Sequence, residues 1–273
     1  MTGASAANGK REAGPFIKTA LVLWVLGIIG GLLVLPYVTT LEAKAIAAAA
    51  ARTHIDAKIL LAMSMTQTAV LLAVAVLAGL WASRKLGLGT PLIAAALTGG
   101  SAPGKAPLTL SIAVVAGIAT GLGLVELDRS FFAHITSLGA LTLGSAGNGP
   151  PSWQGFLASF YGAFDEEILM RLCLLPLLAL ALRTFVRWDG KSREVLPSGV
   201  FWIANIATAL VFGLGHLPAT AALVPLTPLI VVRALVLNGT AGIVFGVLYR
   251  RYGLEWAMAS HFSADLVLHV VLA

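Results

Sequence analysis

The chain has 273 residues, 58% hydrophobic and only 11% charged, with a mean hydropathy of +0.92. So few charged groups cannot cover a water-soluble globule, and apolar residues spread along nearly the whole length exclude a disordered chain. Composition leaves an all-α, polytopic transmembrane helical bundle. The net charge of +6 comes from 18 basic against 12 acidic residues. The basic ones sit mostly in short gaps between apolar runs, where anionic headgroups lie, so the expected partner is a lipid bilayer and not nucleic acid. The single cysteine, Cys173, cannot form an intramolecular disulfide.

The first apolar run, residues 16–38, follows Lys10 and Arg11 and contains Lys18. It exceeds the roughly 20 helical residues that cross a bilayer and lacks a small-x-small cleavage pattern, so it reads as an uncleaved first span. An Ala-rich segment, 41–57, reads as a surface helix or a short extramembrane excursion. A second span covers 59–82 and ends at Arg84 and Lys85; residues 86–107 are connector, with 91–97 dipping toward the membrane. A third span, 107–127, is closed by Glu126, Asp128 and Arg129. After a linker at 142–152, the stretch 153–185 is apolar apart from Asp165, Glu166, Glu167 and Arg171. Pro176 is expected to kink or divide it, because proline leaves an earlier carbonyl without its helical donor.

A hydrophilic loop at 187–194 leads to a span over 200–216 that stops at Pro218. The run 221–249 is divided by Asn238 and Gly239 and capped by Arg250 and Arg251, and a last span covers 254–271. These stretches predict seven or eight membrane-crossing elements. Trp24, Trp81, Trp153, Trp202 and Trp256 fall toward span ends, as an interfacial belt places them.

Ionisable groups are costly in hydrocarbon, so charged residues inside predicted spans are functional candidates that face the bundle interior. Three sets occur. In the first, Glu167 and Arg171 are four apart and share a helix face, whereas Glu166 points about 100° away. One carboxylate is thus paired and its neighbour faces something else. The second is Phe212 with His216, with Asn205 eleven residues before His216 on nearly the same face. The third is His261 with Asp265, a spacing at which a carboxylate fixes an imidazole's tautomer or shares a ligand with it. His54, His134 and His269 read as residues without a chemical role, and Arg233 as a side chain that snorkels to an interface.

One free carboxylate and two histidines in an apolar setting suit amide hydrolysis by water. Glu166 takes a proton from the water, a histidine holds it in line, and the other histidine, oriented by Asp265, donates to the oxygen on which charge develops. No Gly-x-Ser-x-Gly elbow, phosphate-binding Gly-Lys loop or HExxH occurs.

The ordered motifs Glu166-Glu167-Ile168-Leu169-Met170-Arg171, Phe212-Gly213-Leu214-Gly215-His216 and His261-Phe262-Ser263-Ala264-Asp265 resemble the CPBP family of intramembrane proteases. That group includes the type 2 CAAX prenyl endopeptidases and Abi-like proteins. Gly242 to Gly246 and Leu248 to Arg251 are also similar to it, and the likeness covers about residues 107–273, which divides the chain into N-terminal spans and connectors at 1–106 and a protease-like core at 107–273. The resemblance implies that Glu166 activates water with His216, that His261 and Asp265 line the oxyanion side, and that Glu167 and Arg171 support the site. Many relatives carry Asn at the position of Asp265; Asn donates a hydrogen bond and an ionised Asp does not. A zinc mechanism would use Glu166, His216 and His261 as ligands. The metal-free glutamate mechanism, attributed to the better-understood relatives, implies no cofactor. The substrate implied is a membrane-associated protein or peptide, and the location a bacterial inner membrane. The rival readings are a proton- or ion-coupled transporter and an inactive peptide-binding scaffold.

Active-site assembly bears on the span count. His216 is expected near its helix exit, and His261 about 10 Å into the last helix. Two crossings between them would bring them to similar depth, which favours eight elements, whereas the basic loops favour seven with the N-terminus inside.

Overall fold

A computed structural model describes residues 15–132, 149–185 and 195–272. Lys10, Arg11, His134, linker positions 142–148 and the loop 187–194 lie outside these described residues. The described chain is helical: α1 (Phe16–Leu41), α2 (Ala43–Thr53), α3 (Ala57–Lys85), α4 (Pro91–Thr98), α5 (Ala106–Leu127), α6 (Ser152–Tyr161), α7 (Leu175–Phe185), α8 (Ser198–Gly215), α9 (Leu217–Leu223), α10 (Pro228–Arg251) and α11 (Leu254–Leu266). Segments with π geometry follow α5 (Asp128–Phe132), join α6 to α7 (Gly162–Glu166 and Ile168–Leu174) and end the bundle (Val267–Val271).

Five helical stretches among the described residues are long and apolar enough to cross a membrane: Phe16–Leu41, Ala57–Lys85, Ala106–Phe132, Ser198–Leu223 and Pro228–Arg251. The protein is therefore a multi-pass integral membrane protein, and the expected seven or eight crossings are corrected to five. Two causes account for the difference. The run expected to divide at Asn238 and Gly239 is instead one continuous helix, α10. Asn238 Nδ2 donates to Ala234 O at 3.0 Å and Thr240 Oγ1 to Val236 O at 2.7 Å, so their polar groups are satisfied along the helix without breaking it. The other cause is that neither 152–185 nor 254–271 forms a single helix of spanning length. The first is split among α6, two π segments and α7, and the second is a 13-residue helix with a π turn. On α11, Leu254, Trp256, Ala257, Met258, Ser260, His261, Ser263 and Ala264 are all buried, which is the pattern of a central helix.

The interruption in the glutamate-bearing stretch begins before Pro176, which is the second residue of α7. Proline has no N–H for the carbonyl four residues back, Leu172 O. That carbonyl instead accepts from Ser83 Oγ on α3 at 3.2 Å, and the Ser83 and Tyr249 hydroxyls are 2.7 Å apart. The proline is thus tied to a hydrogen-bond chain through α3 and α10.

Close helix approach depends on missing side chains. Gly117 and Gly121 on α5, four apart, lie against the Ser260 and Ala264 carbonyls of α11, where a Cβ would collide with backbone. The start of α11 is fixed from outside the bundle core. Glu255 Oε1 accepts from Leu92 N and Ile93 N, both at 2.9 Å, and so caps α4, while Gly253 makes the preceding turn at φ 133°. Exposed Leu, Ile and Val side chains such as Leu21, Val70, Val74, Val115, Ile118 and Ile206 form the outer surface, which suits lipid. Trp256 departs from the expected belt: it is buried, and its indole donates to Thr109 Oγ1 at 3.0 Å. Arg233 also departs from its expected role. It does not snorkel but makes a buried two-pronged pair with Asp128, at 2.6 and 2.7 Å.

Ser83→Ala strips Leu172 O of its side-chain donor, and is expected to lower stability by about 1–3 kcal/mol. Chemical denaturation in detergent micelles checks this; an unchanged midpoint would show that the interrupted helix is not held by α3.

Candidate active site

Glu166 closes the first π segment and Glu167 follows it, so the two carboxylates leave the helix in different directions, as their adjacency requires. Glu167 is fully buried, whereas the Glu166 side chain is 21% exposed and opens onto a cavity. Glu167 Oε1 lies 2.9 Å from Arg171 Nη1 and 2.7 Å from His261 Nδ1. The Arg171 guanidinium also sits over the rings of Phe212 and Phe245, at 4.8 and 5.3 Å from their centroids, which spreads its charge onto aromatic faces. The neighbour, Glu166, faces both motif histidines: Oε2 is 3.5 Å from His261 Nε2 and Oε1 is 4.0 Å from His216 Nε2.

The hydrogen bonds assign the ring nitrogens. His216 Nδ1 is 2.8 Å from Phe212 O, an acceptor, so Nδ1 carries the proton. His261 Nδ1 donates to Glu167 in the same way. In their neutral forms both histidines therefore turn Nε2 lone pairs toward Glu166. Packing fixes the rings: Phe245 stacks on His261 at 4.5 Å, and Phe212 meets His216 edge-on at 4.8 Å.

Asp265, expected to orient His261, has Oδ1 3.7 Å from Nε2, and the shorter contact, 2.7 Å at Nδ1, is made by Glu167. Gly162 backs onto Asp265 and His261 with no side chain between. Asn205 is not brought to the site. It is buried between α8 and α10, where Nδ2 donates to Ile243 O at 3.1 Å beside Gly246, so its face of α8 serves packing.

His216 and His261 reach one carboxylate although a single helix, α10, crosses between them. The residue expected at a helix exit lies inside the 26-residue stretch Ser198–Leu223, seven positions from its end, because α9 continues past Pro218. His261 is likewise seven positions into α11. Each is about 10 Å along its helix from opposite ends, so neither sits at the helix end from which it is counted.

Two cavities, of about 380 and 410 Å³, meet at Tyr161, Glu166, Phe212 and His216. The first also contains His261, Asp265, Arg233, Tyr37 and His269; the second leads between α1, α3 and α8 past Ser64, Met65 and Thr68. Tyr37 and His269 carry no motif signal. Tyr37 comes from the first span and His269 was read as inert, yet the Tyr37 hydroxyl lies 3.4 Å from His269 Nδ1 in the cavity wall. The i, i+4 spacing of His269 from Asp265 was its only sequence sign.

Residues 148–267 match the sequence model of the family described as type II CAAX prenyl endopeptidase Rce1-like. Over these residues the chain belongs to that family. Comparison with curated proteins and with solved structures gives no match. The Rce1-like segment contains every motif residue, Glu166, Glu167, Arg171, Phe212, His216, His261 and Asp265, while Tyr37 and His269 lie outside it. Among the described residues no group of three or more His, Cys, Asp or Glu is placed to hold a metal ion.

Glu167→Gln leaves Arg171 buried without its counter-charge and is expected to lower stability by about 3–5 kcal/mol. Glu167→Gln combined with Arg171→Met is expected to lose less, because no charge is then stranded. Denaturation midpoints of both variants in micelles check the pair; equal losses would show that the ion pair is not what the packing relies on.

Proposed function

We propose that the protein is an intramembrane endopeptidase that hydrolyses a peptide bond of a membrane-associated protein or peptide with water activated by Glu166. The observation that carries this reading is the separation of the two carboxylates: Glu167 is held by Arg171 and His261, while Glu166 faces two imidazole nitrogens across a cavity. The 4.0 Å between Glu166 and His216 Nε2 is too long for a direct hydrogen bond and suits a bridging water. Both groups are acceptors, so each takes one hydrogen of that water, and the oxygen lone pair is left to attack a carbonyl carbon lying in the cavity.

As the new C–O bond forms, the water's proton passes to Glu166 and the carbonyl π pair moves onto oxygen. When the C–N bond breaks, Glu166 returns that proton to the departing amine. The developing oxyanion needs donors. His261 supplies one from Nε2 when it is an imidazolium, with Glu167 at one ring nitrogen and Asp265 beside the other. Asp265 thus serves as a carboxylate, stabilising the charge on His261, where an Asn would donate itself. Family membership over residues 148–267 supports the protease class.

Purified protein in detergent micelles, offered a quenched-fluorescent library of apolar peptides, is expected to cleave at least one sequence. Glu166→Gln is expected to reduce cleavage by about 10⁴-fold or more, and chelation to leave it unchanged. Cleavage lost on chelation would transfer the His216 and His261 lone pairs to a metal. Proton- or ion-coupled flux in liposomes without any cleavage would overturn the hydrolase reading.

A further inference from the structure

From the arrangement of donors in the cavity we infer that Tyr161 is a further catalytic residue, whose phenol donates a hydrogen bond to the substrate's carbonyl oxygen as it becomes an oxyanion. This inference rests on the hydrolase reading above. The groups gathered at the site are rich in acceptors: the Glu166 and Asp265 carboxylates and, with both Nδ1 protons committed, the Nε2 atoms of His216 and neutral His261. An imidazolium His261 gives a single proton on Nε2, and that proton already lies between Glu166 at 3.5 Å and Asp265 at 3.7 Å. Stabilising an oxyanion works best with a donor that keeps its proton and is fixed before reaction.

The cavity that holds His261 and Asp265 has the hydroxyls of Tyr37, Tyr161 and Thr220 in its lining, whereas Ser64 and Thr68 line only the second. Thr220 is committed to His216 O at 2.9 Å, and the Tyr37 hydroxyl lies against His269 at 3.4 Å. Tyr161 makes no hydrogen bond among the described residues, and its half-buried side chain borders both cavities where they meet. Its place follows from the backbone. It is the last residue of α6, and the π segment Gly162–Glu166 follows immediately, so the wider turn sets Tyr161 and Glu166 beside the same space. An ordinary α-helical turn would align Tyr161 with Asp165, which instead is fully buried against Gly30 and Gly31 of α1.

In the reaction step the phenol proton stays on Tyr161. The new C–O bond forms from water, the carbonyl π pair moves to oxygen, and the water proton goes to Glu166. The Tyr161 O–H···O contact shortens as that charge grows and relaxes when the C–N bond breaks.

The test uses the full chain in micelles and a fluorescent peptide that the wild type cleaves. Tyr161→Phe removes only the hydroxyl; kcat is expected to fall about 10²-fold with KM within about twofold of wild type. Tyr252→Phe, which removes a phenol outside the cavity, is expected to leave both unchanged. Melting and elution profiles are measured beside the kinetics, so that a folding defect is separated from a chemical one. If Glu166→Gln is inactive while Tyr161→Phe keeps wild-type kcat, or loses only KM, this inference fails and the hydrolase reading stands. If Glu166→Gln is as active as wild type, or the folded wild type cleaves nothing in the library, both fall together.

Discussion

The buried carboxylate of Glu167, directly and through Arg171, ties four otherwise separate elements into one arrangement. It pairs with Arg171 one turn along its own segment at 2.9 Å and with His261 of the central helix at 2.7 Å. Arg171 in turn lies over rings from α8 and α10. Removing one partner of such a pair strands a charge in low dielectric, so the glutamate, the arginine and both aromatic faces stand or fall together. The chemical consequence lies one residue away. With Glu167 committed, Glu166 is the carboxylate left facing the cavity, and the proton on His261 Nδ1 directs the other ring nitrogen toward it.

Around this centre the bundle supplies an apolar frame that needs little beyond close approach. Glycines let α5 lie against the backbone of α11, and Glu255 fixes where α11 begins by capping α4. The π segments do the finer positioning. They interrupt the i to i+4 ladder beside the cavity, and they set Tyr161, Glu166 and Glu167 in directions that a uniform α-helix would not produce. Pro176 and the Ser83 bond to Leu172 O hold that interruption in place from its C-terminal side. The catalytic proposal therefore depends on an irregular stretch of backbone buried in protein, the setting in which such irregularity is tolerated in a membrane.

The sequence displays the charged residues plainly, because Glu166, Glu167, Arg171, His216, His261 and Asp265 stand out against apolar surroundings. It displays their geometry less well. Hydropathy shows an apolar run without showing where its helix is interrupted, and for that reason 153–185 and 254–271 inflated the expected number of crossings. The Asn238-Gly239 pair looked like a break because side-chain bonds back to the same helix are invisible in composition. Arg233 looked solitary because its partner, Asp128, is 105 positions away. Asn205 shares a helical face with His216 by periodicity, but that face is wide enough to hold both a packing contact and a cavity wall. Tyr37 and Tyr161 were missed because phenols carry no spacing signature until the helices are assembled around them, and His269 because its i, i+4 step from Asp265 is too weak a sign by itself.

The central claim is that Glu167 holds the His261 proton on Nδ1 and so presents Nε2 to Glu166. Nitrogen NMR of protein labelled at histidine, with the His261 signals assigned by their loss in His261→Gln, reads that proton directly. The account predicts a protonated Nδ1 in wild type, and a redistribution toward Nε2 in Glu167→Ala. A neutral His261 protonated on Nε2 in the folded wild type would contradict it.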